Sequence, residues 1–171
     1  LASGKPTAAL EVYDPRRDLW ETKADMPTAI SGYALAAFEG RLYLFGGWDG
    51  ALALDEVYMY DPMQDTWTAR TAMPAARAYA GAAATSGKIF VIGGFDGQQA
   101  LAVNQVYYPD RDGSGESPWG ERAALSEGRY AMGIATLADF IYILGGITNA
   151  PGEQQALQYV IQQDTWQAFE N

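Results

Sequence analysis

The sequence predicts an all-β protein built from repeated four-stranded antiparallel sheets, and two observations carry that prediction. Marker residues recur at one spacing: Tyr13 to Tyr60, Trp20 to Trp67, Gly46 to Gly93 and Tyr60 to Tyr107 are each 47 positions apart. Self-similarity at a fixed period of roughly 20–50 residues is the mark of a repeat architecture. Within each period, short apolar runs (RLYLFGG, KIFVIGG, FIYILGG) and alternating segments such as ALEVYDP stand between turn residues, which is the pattern of strands.

Three later markers, Trp67 to Trp119, Gly93 to Gly145 and Tyr107 to Tyr159, are 52 apart, and Trp119 to Trp166 returns to 47. A single insertion of five residues accounts for all four spacings. It falls between Tyr107 and Trp119, in the turn-rich DRDGSGES around Gly113, where a connection between strands absorbs extra length cheaply.

A double glycine, a tyrosine and a tryptophan in fixed order, with YDP corners and Met-Pro pairs at Met26-Pro27 and Met73-Pro74, resemble the kelch repeat. In that family each repeat is one four-stranded blade of a β-propeller. The resemblance covers nearly the whole chain. It implies a kelch-type β-propeller fragment with three complete four-stranded antiparallel blades plus an N-terminal half blade. The third copy departs from the pattern with Leu125-Ser126 in place of Met-Pro, and the fourth lacks Asp-Pro after Tyr159. These departures touch single turns and leave the architecture standing.

In order, residues 1–27 hold a third strand in ALEVYDP and a fourth in DLWETK, a half blade. Subtracting the period from Trp48 reaches Leu1, so the chain is expected to begin just past the place of a first double glycine. Two strands alone are marginal in water and need the next blade or strands from elsewhere. Residues 28–74 form the first complete blade: SGYALAAFEG is a small-residue inner strand, RLYLFGG a buried second strand, DEVYMYDP a third and TWTAR a fourth. Residues 75–126 repeat this around AGAAAT and carry the insertion, and residues 127–171 repeat it from YAMGIATL to QDTWQAF. The whole reads as one repeat domain, 1–171.

The recurring residues have physical roles. Gly46-Gly47, Gly93-Gly94 and Gly145-Gly146 end buried strands where the backbone bends or meets a neighbour, which glycine does without a Cβ penalty. Tyr13, Tyr60, Tyr107 and Tyr159, with Trp20, Trp67, Trp119 and Trp166, are expected to pack between blades, since recurrence at a fixed period is what a packing role produces.

Composition narrows the function. The chain has no cysteine and no histidine, which removes disulfides, thiolate chemistry, the usual base near neutral pH and the commonest metal ligand. No metal or cofactor is implied. A formal charge of −10 opposes nucleic acid and anionic lipid. No run of about 18 apolar residues is present to cross a membrane as a helix, and LASGKPTAAL does not read as a leader. The compartment stays open.

Asp49 and Asp96 occupy equivalent Asp-Gly positions, where a turn role outweighs an acid–base pair. The inserted DRDGSGES lacks EF-hand spacing and reads as a solvated loop rather than a calcium site. Three residues past Met-Pro or its equivalent stand Ile30, Arg77 and Arg129. Arginine there resembles the kelch pattern in which such residues ring one mouth of the channel and grip a carboxylate or phosphate by two hydrogen bonds. The alternative is that they pair with the acidic loops of this chain. Tyr33, Tyr79 and Tyr130 lie close by, and Trp48 and Phe95 follow the double glycines as exposed candidates for the same face, with Ile147 their apolar counterpart.

The expected function is a rigid scaffold that binds another protein or peptide, or an acidic ligand, through loops at one end of the blades. The rival is a carbohydrate-active enzyme resembling the sialate mutarotases, working through arginine, carboxylate and tyrosine. Three and a half blades leave raw sheet edges, so a second copy or further blades of a longer chain is an expected partner.

Overall fold

A computed structural model of the chain describes residues 5–150 and 155–169, and every regular element among them is a strand. The extrapolation that reaches Leu1 lies outside the described residues. An N-terminal pair, β1 (Leu10–Asp14) and β2 (Leu19–Lys23), forms a two-stranded antiparallel sheet. The first four-stranded sheet runs in order through β3 (Ala34–Phe38), β4 (Arg41–Trp48), β5 (Ala53–Asp61) and β6 (Thr66–Arg70). The second runs through β7 (Gly81–Thr85), β8 (Lys88–Ile92), β9 (Asn104–Tyr107) and β10 (Trp119–Glu121). After β11 (Arg129–Tyr130), the third is built from β12 (Gly133–Leu137), β13 (Phe140–Leu144), β15 (Leu157–Val160) and β16 (Thr165–Ala168). β14 (Ile147–Thr148) pairs with β11 as a separate short ribbon.

Each sheet is a meander in which neighbours in sequence are neighbours in space, so loops stay short and the sheets stack on one another. The second strands show the result: Ile89 to Ile92 of β8 are all buried, because both faces of that strand lie against other sheets. Two clusters join the complete sheets. Tyr43, Phe45, Val57 and Met59 pack on Ile89, Val91 and Tyr107, and Phe90, Ile92 and Val106 pack on Ile141, Ile143 and Tyr159. The small first strands come together at one place. Ala36, Ala83 and Ala135 from β3, β7 and β12 line one shared cavity of about 240 Å³, together with Leu35 and Ile134.

A clasp repeats at each junction between sheets. The Trp67 indole donates to the carbonyl of Ala24, Trp119 to Thr71 and Trp166 to Ala123, each reaching back to the preceding sheet. The backbone N–H of the same three residues donates to Asp65, Asp112 and Asp164. Those carboxylates also accept from the hydroxyls of Tyr60, Tyr107 and Tyr159. One residue of the preceding sheet is thus held at both its N–H and its C=O. The tyrosine and tryptophan of each clasp stack, with ring centroids 5.0 Å apart for Tyr60–Trp67 and Tyr107–Trp119 and 4.8 Å for Tyr159–Trp166. In the N-terminal pair Tyr13 and Trp20 stack the same way at 5.1 Å, yet they are 42 % and 67 % exposed.

The departures from the pattern prove conservative. Leu125 is buried like Met26 and Met73 and makes the equivalent backbone bond, to Ala102 as theirs are to Ala8 and Asp55. Where the fourth copy lacks Asp-Pro, the turn still closes through Gln163 N–H to the carbonyl of Val160.

Candidate binding face

The double glycines and the connections that enter each first strand lie at the same end of the blades. There the chain before each first strand bridges to the residue just past the double glycine: Ser31 to Trp48, Ala78 to Phe95, and Tyr130 to Ile147 within the β11–β14 ribbon. The carbonyl of Gly32 accepts from Tyr79 N–H at 2.5 Å, and the carbonyl of Tyr79 accepts from Ala131 N–H at 2.9 Å. Gly32, Tyr79 and Ala131 are equivalent positions and all three have left-handed backbones, with φ of 59°, 56° and 54°. A backbone chain therefore runs from blade to blade along this end. Gly32 has a further reason to be glycine, since a Cβ there would sit 2.5 Å from the Tyr79 ring.

This scaffold brings three of the candidate aromatics together, Tyr79, Phe95 and Tyr130. Phe95 and Tyr130 have ring centroids 5.0 Å apart, and Tyr79 and Tyr130 lie 6.1 Å apart. Tyr33 and Tyr79 are each 38 % exposed, and Ile147 is 53 % exposed. Trp48 and Phe95 are half-buried rather than fully exposed, because the bridges to Ser31 and Ala78 draw them in. Trp48 lines a shallow cleft of about 160 Å³ with Leu52, Asp96 and Gln98 between neighbouring loops. The three tyrosines do not share one repeat position: Tyr130 corresponds to Ser31 and Ala78, and Tyr33 to Ala80 and Met132.

The arginines differ from the expectation of open forks at a channel mouth. Arg77 is entirely buried and Arg129 is 3 % exposed. The cause is the backbone: Arg77 N–H donates to the carbonyl of Leu54 at 2.9 Å while its own carbonyl accepts from Gly47 N–H at 3.0 Å. Pinned this way, its side chain turns inward past Gly94 and donates through Nη2 to Gln105 Oε1 at 2.6 Å. Gln105 in turn donates to Glu121 Oε1 at 2.6 Å. Burial lowers the Arg77 pKa to about 10, with the charge of Glu121 opposing, so the guanidinium stays protonated at neutral pH. Arg129 is seated alike, its carbonyl accepting from Gly94 N–H and its Nη1 donating to the carbonyls of Gly145 and Gln155. The Arg129 side chain braces the loop at Gly145 and Gln155 from beneath, while that of Arg77 is anchored on Gln105 of β9.

Asp49 and Asp96 serve the turns. Asp49 accepts from the N–H groups of Ala51 and Leu52, and Asp96 from those of Gln98 and Gln99. These bonds hold both carboxyls below the ordinary value. Among the described residues, no three or more acidic side chains are grouped to hold a metal ion.

The sequence reading missed the clasp aspartates. Asp18, Asp65, Asp112 and Asp164 each stand five residues after the marker tyrosine, a signal open to the same subtraction that found the tyrosines. It missed the left-handed chain as well, since Gly32, Tyr79 and Ala131 share a backbone conformation and no residue type.

The model of the KLHDC2/KLHL20/DRC7 Kelch-repeats domain matches residues 4–171. Kelch-like protein 38 of Rattus norvegicus is 54% identical over 41 residues, 24% of this chain and 7% of that protein. Its Mus musculus counterpart is 52% identical over 42 residues, 25% of the chain and 7% of that protein. Alpha-scruin of Limulus polyphemus is 41% identical over 46 residues, 27% of the chain and 5% of that protein. Each match is about the length of one repeat, and each covers a small part of the relative.

Proposed function

The chain belongs to the kelch-repeat family, and from that premise we propose that it is a scaffold that binds another protein through the double-glycine end of its blades. The observation that carries this reading is the aromatic set of Tyr79, Phe95 and Tyr130, mounted on a backbone chain bonded from blade to blade, with Tyr33 exposed on the same end. Rigid aromatic anchors on preorganised loops lose little entropy on binding and dominate interface energetics. Of the two ligand classes, a protein or peptide segment fits better than a small acidic molecule, because the Arg77 guanidinium faces Gln105 rather than solvent. Arg77 and Arg129 enter as supports that hold the loops in place. Trp48 contributes one wall of a side cleft that takes a neighbouring side chain of the partner.

The same reading extends along the stack. The exposed Tyr13–Trp20 pair matches the pairs that elsewhere pack on a preceding blade. A further blade, from a second copy or a longer chain, is the partner that fits it.

The test is panning of a random peptide library against the chain and against Tyr79→Ala/Phe95→Ala. Peptides that the parent retains and the double variant releases support the reading. No retained peptide, or retention unchanged in the variant, refutes it.

A further inference from the structure

At the opposite end of the blades lies a cleft of about 450 Å³, between the first two complete blades. The β3–β4 turn supplies Phe38, Glu39 and Arg41, the sheet behind it Tyr43, Met59 and Arg70, and the facing blade Pro109 and Asp110. Those last two residues keep the regular repeat positions of Pro62 and Met63, ahead of the five-residue insertion, so the ordinary turn of the following blade builds a wall of this cleft.

Arg70 is a part-buried cation of this cleft. Among the described residues its one hydrogen bond runs from Nη2 to the thioether sulfur of Met59 at 3.1 Å, and its Nε is buried without a partner. Sulfur is a weak acceptor, and with Nε enclosed the terminal N–H groups on Nη1 and Nη2 are the donors that a ligand can reach. A carboxylate whose charge it feels, Asp112, is already occupied by the Tyr107 hydroxyl and by Thr71. Arg41 stands beside it, 43 % exposed and only loosely paired with Asp61 at 3.5 Å.

The repeat provides its own reference. Arg122 occupies the equivalent position one blade on, where Nη2 donates to the Tyr108 hydroxyl at 2.6 Å and Nη1 to the carbonyl of Glu121 at 2.9 Å. There Lys88 replaces Arg41 and lies over the Phe90 ring, and Thr85 and Val106 replace Phe38 and Met59. Arg122 is satisfied by its own blade. Arg70 is not, and it alone faces an aromatic wall of Phe38 and Tyr43, whose centroids are 6.2 Å apart in an edge arrangement.

We infer that the cleft between the first two complete blades binds a small monoanionic carboxylate carrying a flat apolar body. The carboxylate takes the terminal N–H groups of Arg70 with help from Arg41, since a guanidinium offers parallel N–H groups matched to two oxygens. The body lies against Phe38, Tyr43 and the Met59 thioether. Glu39 and Asp110 stand exposed at the rim, and together with the formal charge of −10 they select against dianions such as phosphate esters. The site shares no residue with the double-glycine face, so it stands or falls separately from the reading of that face.

The experiment is a titration of the isotope-labelled chain with phenylacetate and with neutral phenylacetamide, following the amide signals of Arg41, Arg70 and Asp110. Saturable shifts at these residues with phenylacetate at millimolar concentration are expected, together with affinity at least about tenfold weaker for the amide. Arg70→Gln is expected to lose about tenfold in affinity for phenylacetate, while Arg122→Gln leaves it unchanged. Absence of saturable shifts at the cleft, equal binding of acid and amide by the parent chain, or unchanged binding by Arg70→Gln would each overturn the assignment. The comparison of acid with amide needs no variant, so the test survives if Arg70→Gln fails to fold.

Discussion

Replacing the first glycine of the double-glycine pair by alanine in two different blades separates backbone strain from the seating of one blade on the next. Gly46 and Gly145 hold the same repeat position and nearly the same left-handed conformation, with φ of 56° and 63°. Alanine in that region costs roughly 1–2 kcal/mol at either site. The surroundings differ. A Cβ on Gly46 would lie 2.3 Å from the carbonyl oxygen of Arg77 and 2.8 Å from that of Leu54, whereas no described atom lies within 4 Å of one on Gly145. To admit the methyl group, the Arg77 segment must move, and it is bonded to Gly47 N–H at 3.0 Å and to the carbonyl of Leu54 at 2.9 Å. Losing two such bonds at about 1 kcal/mol each adds about 2 kcal/mol. Gly46→Ala should therefore cost about 3–4 kcal/mol and Gly145→Ala about 1–2 kcal/mol. For a chain of this size the difference corresponds to roughly 4–8 °C in midpoint. Urea titration followed by tryptophan fluorescence, with thermal scans beside it, measures both. Equal losses at the two sites would refute the claim that the double glycine is shaped by the blade that follows it.

Three further outcomes follow from the clasps and the buried arginine. Trp67→Phe removes an indole bond to Ala24 and should lower stability by about 1 kcal/mol, while Trp20→Phe at the exposed pair should cost almost nothing; matched thermal scans decide. Asp65, Asp112 and Asp164 all sit below the ordinary carboxyl value of 3.8. The Ala24 N–H and the Tyr60 hydroxyl do this for Asp65; at Asp112 and Asp164 burial pushes upward, and hydrogen bonds to the carboxylates outweigh it. Their contribution is complete above pH 3.8 and is lost as pH falls through the lower folded values, so near-ultraviolet dichroism should hold from neutrality to about pH 4 and decay below it. A signal that fades between pH 7 and 5 would contradict this. Arg77→Met leaves the buried Gln105 oxygen unpaired and should destabilise by about 1–3 kcal/mol, part of which Gln105→Leu in the same chain restores, as chemical denaturation would report.

Much of the architecture was open to reading because side chains advertise it. The tyrosines, tryptophans and double glycines mark register, and the strands fall where the alternating runs lie. The insertion can be narrowed once the clasp is known: Asp65 precedes Trp67 by two residues and Asp112 precedes Trp119 by seven, so the extra five fall after Asp112. What stayed hidden was set by the backbone. The left-handed chain through Gly32, Tyr79 and Ala131 depends on carbonyls and N–H groups that every residue possesses. The burial of Arg77 has the same origin, since its direction is dictated by bonds to Leu54 and Gly47, and its partner Gln105 lies 28 residues away. The cleft at Arg70 differs: its arginine looks like Arg122 in sequence, and the side chains that tell them apart, Phe38, Arg41 and Met59 against Thr85, Lys88 and Val106, are brought together from other strands.

The stacking of look-alike blades is tested most directly by nuclear Overhauser contacts from the indole N–H protons. Trp67, Trp119 and Trp166 should each show a contact to one residue of the preceding blade, Ala24, Thr71 and Ala123 respectively, with Trp20 showing no such contact. Indole contacts confined to the tryptophan's own blade, or to unmatched residues in different blades, would contradict the account.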